Sequence, residues 1–375
     1  MGDTDNDLRR TPLYDLHVAR GARMVPFAGW EMPVQYEGVM AEHNATRDGA
    51  GLFEVSHMGQ VILRGEGVAE AFEALVPQDI VGLAEGRQRY AFFTNDAGGI
   101  EDDLMVANRG DHLYVVVNAA CVEADVARMR AALEPKGIHV KHVTTRALIA
   151  LQGPGAEAVL ADLNEDVAAM RFLDVGTHAL AGAECWVSRS GYTGEDGYEI
   201  SVPEAAAELL VTTLLGKPGV SLVGLGARDS LRLEAGLCLY GQDIDSTTSP
   251  VEAGLSWAIQ KARRTGGARE GGFPGADRIL TELDKGASRH RVGLMPEGRA
   301  PMRTGVALFD AETGGAQVGE VTSGSFGPTV GGPVAMGYVT DAAARKGTRL
   351  WGEVRGKRMA VTVSDLPFVP AGFKR

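Results

Sequence analysis

The sequence predicts an α+β protein whose C-terminal part is a small β-barrel. Three observations carry that prediction. Apolar residues recur at helical spacing in a few bounded stretches, with short β-rich runs between them; after residue 286 the helical spacing disappears while the β-rich runs continue. Glycine supplies 50 of 375 residues, about 13% against an ordinary level of about 7%, without a Gly-X-Y period, so the chain is rich in turns rather than collagenous. The hydrophobic (45%) and charged (23%) fractions are globular, and at roughly 150 residues per domain the length suggests two or three domains.

Residues 1–10 are polar and acidic and are expected to form a mobile tail. In 120–133, Val122, Val126, Met129 and Leu133 fall on one helix face, with Asn118 where a cap would stand. Residues 113–117, 146–151, 185–190 and 198–202 read as strands. A second helix is expected over 204–215, started by Pro203 and stopped before Gly216 and Pro218. A third opens at Gly226-Ala227-Arg228-Asp229 and carries Leu231 and Leu233. The charged, glycine-rich stretch 261–275 reads as a surface loop. From 286 onward, the runs VALF, VGEVTSG, VAMGYV, LWGEV and MAVTVS between Gly and Pro turns predict the barrel.

Several function classes are disfavoured. Lys+Arg 37 against Asp+Glu 49 gives a net charge of −12, which offers nothing to a phosphate backbone, so no nucleic-acid partner is expected. No run of about 18 apolar residues exists, so no membrane partner is expected either. Cys121, Cys185 and Cys238 lie far apart, outside any C-x-x-C pair; with no apolar leader this fits a reducing, cytoplasmic setting without structural zinc. Gly65-Glu66-Gly67 lacks the later glycine of a dinucleotide loop, position 70 being Glu, and no P-loop is present, so no nucleotide cofactor is expected. His139 and His142 alternate onto opposite strand faces, and no metal is expected.

Two segments carry more polarity than packing needs. In 98–106, Glu101, Asp102 and Asp103 follow a Gly-Gly turn and run into an apolar strand; a solvated hairpin start is the plain alternative to a functional acid. In 190–199, three glycines, two tyrosines and three acids connect two strands, with a long hairpin loop as the plain alternative.

These segments also carry a resemblance. Thr11-Pro12-Leu13-Tyr14, Phe27-Ala28-Gly29-Trp30-Glu31-Met32-Pro33 and Val55-Ser56-His57-Met58-Gly59 come first. GGIEDDLMV (98–106), VVVNAA (115–120), LQGP (151–154), SGYTGEDGYE (190–199), GLGARDSLRLEAG (224–236), LYGQDID (239–245) and VTSGSFGPT (321–329) follow. In this order, the set resembles the glycine cleavage system T-protein family of tetrahydrofolate-dependent aminomethyltransferases over about residues 11–370. The resemblance implies a multi-lobed folate-binding fold around a central cavity. Two intertwined α+β lobes would occupy 11–285 and the barrel domain 286–375. It implies transfer of an aminomethyl carbon from the lipoyl arm of an H-protein, a transient partner, to tetrahydrofolate as co-substrate.

Residue by residue, the resemblance makes Asp103 the catalytic carboxylate and Glu199 the pterin-binding one. An ionised carboxylate is an acceptor-only fork that matches the adjacent N–H donors of a pterin. It places Tyr90, Tyr192, Asn118 and Arg228 near the folate and Glu184 as a second polar wall. The packing alternatives are a hairpin contact for Tyr90, the helix cap for Asn118 and an ion pair with Asp229 or Glu234 for Arg228. Asp102 is assigned to structure, because adjacent strand side chains point to opposite faces. Glu54 stands where the family commonly has aspartate and Phe373 where many members have tyrosine. His57 is not expected to serve as a base, and the cation for the folate's glutamate tail, Lys374 or another, stays open.

The family's relatives leave alternatives: a folate-dependent demethylase with another donor, or a non-enzymatic folate-binding protein. The latter carry Lys-Gly-Cys-Tyr-x-Gly-Gln, and here Gly236-Leu237-Cys238-Leu239-Tyr240-Gly241-Gln242 lacks the Lys and separates Cys from Tyr. Cys238 therefore reads as buried. Lys261, Arg263, Arg264 and Arg269 form the densest positive stretch and are the expected contact for the H-protein, with a solvated loop as the alternative.

Overall fold

The computed structural model describes residues 8–375. Two sheets are built from interleaved stretches of chain. A six-stranded sheet runs in the order Val175–Leu180, Ala183–Ser188, Gly197–Pro203, Arg146–Gln152, Ala50–Glu54, Val220–Leu222. A five-stranded sheet runs Arg87–Thr94, Ile100–Asn108, Leu113–Val117, Gly59–Arg64, His139–Val143. The chain thus leaves the first sheet after Glu54 and returns to it at Arg146. A small sheet joins Arg9–Arg10, Trp30–Gln35 and Arg23–Phe27. The closed barrel consists of Arg289–Pro296, Gly332–Thr340, Gln317–Gly327, Ala307–Phe309, Arg349–Val354 and Lys357–Ser364.

Each sheet is backed by the helix whose spacing marked it. Helix Val122–Leu133 buries Val122, Val126, Met129 and Leu133 against Val61, Leu63, Val115 and Val117 of the five-stranded sheet. Helix Glu204–Leu215 buries Ala207, Leu210, Val211 and Leu214 against Ile149, Leu151 and Ile200 of the other. Helix Leu225–Glu234 packs between that sheet, through Ala227 and Leu231, and the barrel, through Leu233.

Four differences from the sequence reading have physical causes. Most of the expected tail lies outside the described residues, but Arg9–Arg10 pair in parallel with Trp30–Glu31, and the Arg9 guanidinium lies 4.4 Å over the Trp30 ring. The strand read at 185–190 is Ala183–Ser188, because Arg189 turns inward to Asp196, to Glu157 and to the Met170 carbonyl at 2.8 Å. Helix Ala276–Lys285, which the sequence reading did not include, buries Ile279 on its inner face. Finally, Glu54 uses its extra length to accept from Thr11 Oγ1 and His17 Nε2, both at 2.6 Å, tying the strand Ala50–Glu54 to helix Tyr14–Ala19.

Candidate active site

The two sheets face each other across a cavity. In the five-stranded sheet Met105 lies opposite Tyr90 on one side and Val116 on the other, so these residues share a face with Gln88 and Asp103. In the six-stranded sheet Leu148 and Trp186 both lie opposite Ser201, and Ser188 lies opposite Glu199. The cavity between the faces is lined by Gln88, Met105, Tyr114, Trp186, Glu199 and Ser201, among others.

Asp103 sits two residues before Met105 on the same strand face. Its Oδ2 accepts from the Tyr90 hydroxyl at 3.0 Å and its Oδ1 from Asn118 Nδ2 at 2.8 Å. Burial, followed by the neighbouring Asp102 charge, pushes its pKa up to about 7, against the two hydrogen bonds that favour the ionised form. Asp102 points the other way and is fully buried, accepting from the Asn118 backbone N–H at 3.1 Å and from Nδ2 at 2.9 Å. Asn118 is therefore the clamp of the acidic pair rather than a helix cap. The following helix, Val122–Leu133, has Cys121 at its N-cap and no side-chain cap bond.

Tyr90 has a second tie that the sequence did not reveal: its ring stacks on Trp257 at 5.4 Å and 27°. Trp257 is 61% exposed, an unusual position for so large an apolar ring. Burial and the nearby Asp103 raise the Tyr90 phenol well above its ordinary range, so it acts as a donor, not an acid.

The hairpin loop after Ser188 supplies the rest. Glu199 accepts from Ser190 Oγ at 2.6 Å, which orients its carboxylate at the cavity wall. Tyr192 donates its hydroxyl to the Cys238 carbonyl and lies under the Arg228 guanidinium, 4.7 Å from ring to carbon. Arg228 makes neither of the ion pairs weighed for it. Asp229 binds Arg232 at 2.9 Å, and Glu234 binds Arg47 and His43, each at 3.1 Å. Arg228 Nη1 is left buried without a hydrogen-bond partner, a donor available to a polar ligand atom. Burial and then the Arg228 charge push His57 down to about 3, too weak a base to take a proton at neutral pH.

Other residues stand apart. Glu184 shares the strand face of Trp186 and Ser188 but lies at its exposed end, outside the cavity lining. Lys374 Nζ is bound to Glu157 at 2.6 Å and the Ala168 carbonyl at 2.8 Å, and Phe373 stacks on Phe172 at 4.0 Å. Cys238 is buried, and burial pushes its thiol up to about 12.

The basic stretch is not a free patch. Arg263 is buried on Glu73 at 2.8 Å, Arg269 reaches the same carboxylate at 2.7 Å, and Arg264 donates to the Ile259 and Ser256 carbonyls. These guanidiniums hold 261–269 against the protein, whereas Lys261, the fourth cation of the expected contact, is exposed.

Sequence reasoning also passed over Tyr114 and Trp186, which line the cavity. Tyr114 sat inside an apolar strand run and Trp186 inside another, although counting back by twos from Asn118 leads to Val116 and Tyr114. Among the described residues no group of three or more His, Cys, Asp or Glu could hold a metal ion. No helix among them is long and apolar enough to cross a membrane.

Comparison with known proteins gives concordant matches. Residues 13–263 match the GCVT N-terminal domain family, and residues 289–370 match the glycine cleavage T-protein C-terminal barrel domain. The mitochondrial aminomethyltransferase of Homo sapiens is 48% identical over 374 residues, covering 98% of this chain and 91% of that protein. The probable mitochondrial aminomethyltransferase of Schizosaccharomyces pombe is 46% identical, covering 97% and 94%. The crystal structure of glycine cleavage system aminomethyltransferase T from Bartonella henselae superposes with a TM-score of 0.91 at 43% identity, over 98% of this chain and 100% of that one.

Proposed function

The chain belongs to the glycine cleavage T-protein family and is an aminomethyltransferase, and from that premise we propose that its cavity brings tetrahydrofolate, as co-substrate, to the aminomethyl group on the lipoyl arm of an H-protein. The observation that carries this reading is the Asp103 carboxyl, held by Tyr90 and Asn118 on the sheet face that carries the cavity-lining Met105.

Tetrahydrofolate supplies the two amine nitrogens that take up the carbon as 5,10-methylenetetrahydrofolate. Their two protons end on the released ammonia and on the arm's freed thiol. The chain's own residues bind, orient and neutralise. Glu199, fixed by Ser190, is an acceptor for paired N–H donors of a pterin. The unpartnered Nη1 of Arg228 is a donor for a ligand oxygen or ring nitrogen, and the cation–π contact with Tyr192 holds it in place. Asp103, poised near neutrality, can accept an amine proton or face the positive charge that develops on the aminomethyl carbon. Its two fixed donors keep that charge from swinging away.

Glu184 stays in this reading only as a polar group at the rim. The H-protein is proposed as a transient partner. We propose a cytoplasmic location, supported by three buried, unpaired thiols that suit a reducing compartment, whereas the two curated relatives are named mitochondrial. Cell fractionation tests this, and recovery with mitochondria would overturn it.

The deciding assay measures methylenetetrahydrofolate formation from purified protein, tetrahydrofolate and aminomethyl-loaded H-protein. Asp103→Asn is expected to lower turnover by about 100-fold or more while retaining folate binding. Undiminished turnover in that variant would remove Asp103 from the chemistry. Tight folate binding without turnover by the parent would overturn the assigned donor.

A further inference from the structure

We infer that Asp125 is a positioning residue for Asp103: its carboxylic acid donates a hydrogen bond to Asp102, fixing Asp102 as the anion that orients Asn118 and, through Asn118, the Asp103 carboxylate. The inference rests on the catalytic reading of Asp103, but its structural half stands apart from it.

Asp125 lies in the first turn of helix Val122–Leu133, directly behind the acidic strand, and is 3% exposed. Acids in a first turn ordinarily face solvent or the helix's free N–H groups. Here Oδ2 is buried and has no hydrogen-bond donor within reach. Among the described residues no N–H or alcohol O–H is bonded to this carboxyl. The side chain that interacts with this carboxyl is Asp102, itself an acid with no exposed surface. Two interacting carboxylates, both ionised and both out of water, would repel strongly. One proton between them turns the repulsion into a charge-assisted hydrogen bond.

The surroundings decide which acid keeps the proton. Asp102 receives the Asn118 N–H, the Asn118 amide and the Cys121 thiol, whereas Oδ2 of Asp125 receives nothing. Donors converge on Asp102, so Asp102 holds the charge and Asp125 the proton. The other titratable groups facing the pair do not alter this. They are Asp103, Cys121 and Tyr240, each neutral or negative, and Arg128, one turn along the helix, is taken by Glu101. Burial, and then the bond to Asp102, pushes Asp125 up to about 9.

The consequence for the site runs through Asn118. A primary amide can turn by exchanging its N and O ends. With Asp102 ionised, both the backbone N–H and Nδ2 of Asn118 are drawn to it, leaving Nδ2 also aimed at Asp103 Oδ1 and at the Asp103 carbonyl, 3.0 Å away. Were Asp102 protonated instead, its O–H would compete for the acceptor end of that amide, and the donor to Asp103 would be lost.

Two substitutions separate positioning from packing. Asp125→Asn keeps a donor at the same place but cannot ionise; Asp125→Ala removes the donor. Asp125→Ala is expected to lower kcat about tenfold or more with the KM for tetrahydrofolate changed by less than about twofold. Asp125→Asn is expected to stay within about threefold of the parent and to lack any alkaline fall in kcat due to loss of the shared proton. Parental kcat in Asp125→Ala, or an equal loss in both variants, would overturn the inference. The second readout is independent of activity. In protein labelled with carboxyl-13C aspartate, one buried carboxyl should remain protonated at about pH 8 and its signal should vanish in Asp125→Asn. Absence of that signal in the parent would overturn the inference whatever the rates show. If the parent fails to turn over, the assigned reaction fails, and this spectrum still decides the proton's place; it also decides if Asp125→Ala does not fold.

Discussion

At the scale of single residues, Asp103 is where the proposed chemistry costs stability. Its pKa is about 7 in the fold against 3.8 for a free side chain, because burial and the Asp102 charge both oppose ionisation. Between about pH 4 and about pH 7 the folded protein holds a proton that the unfolded chain has released, so stability falls as pH rises through that window. Above it, the charge is retained in the fold at a penalty. Asp103→Asn cannot ionise and should escape that penalty. Its thermal and denaturant stability relative to the parent should rise with pH, by on the order of 2 kcal/mol at pH 8, even as turnover is lost. Melting curves of both proteins at acid and alkaline pH check this, and a gap that does not widen with pH would refute it. The parent's own kcat should climb through about pH 7 if the ionised carboxylate is the working form.

At the scale of elements, the loop 190–197 shows how a polar hairpin becomes a fixed wall. Gln152, at the end of strand Arg146–Gln152 and fully buried, donates to the Ser190 carbonyl at 2.9 Å and accepts from Thr193 Oγ1 at 2.9 Å. A Cβ at Gly191 would lie 1.7 Å from Gln152 Oε1, so any side chain there would push the Gln152 amide out of these bonds. Gln152→Leu keeps the bulk but leaves the Ser190 carbonyl and the Thr193 hydroxyl without these partners, at about 1–3 kcal/mol. With Ser190 loosened, Glu199 loses its orienting donor, so the KM for tetrahydrofolate should rise about tenfold while kcat changes little. Steady-state kinetics check it, and an unchanged KM would separate the loop from folate binding. The same elements show what the sequence made legible. Helix faces at 122–133 and 204–215 and the barrel strands were readable because their apolar periods are long and bounded. Asp103, Glu199, Tyr192, Arg228, Asn118 and Tyr90 were nameable only because their segments resemble a family; from periodicity alone each had a packing alternative. Trp257, Asp125 and the inward turn of Arg189 were hidden, since each depends on a partner far along the chain or on which of two like charges keeps a proton. The ion pairs of the basic stretch were hidden for the same reason, because its acidic partners, Glu73 and Asp79, lie nearly 200 residues earlier.

At the scale of the whole molecule, helix Leu225–Glu234 joins the proposed folate site to the barrel. Arg228 leaves its first turn toward Tyr192, whereas Glu234 closes its last turn on the barrel side. Glu234 Oε1 accepts from the Thr329 and Val330 N–H groups at 2.8 and 3.1 Å, and its carbonyl accepts from Phe368 and Val369. Its Oε2 faces Arg47 and His43, each at 3.1 Å. Burial works against this charge, yet the bonds from His43 and Thr329 and the backbone donors outweigh it and hold the pKa at about 2, against 4.5 for a free side chain. The stabilisation is therefore complete above about pH 4.5 and is lost as pH falls toward about 2, amounting to about 2–3 kcal/mol at neutral pH. Glu234→Gln retains the shape and removes the charge, so it should unfold at lower denaturant near pH 7, with a gap to the parent that closes as the solution is acidified. Because the same helix carries Arg228, the variant should also bind tetrahydrofolate more weakly at neutral pH. A variant that unfolds earlier but binds folate like the parent would show that the barrel is attached to the site without helping to shape it.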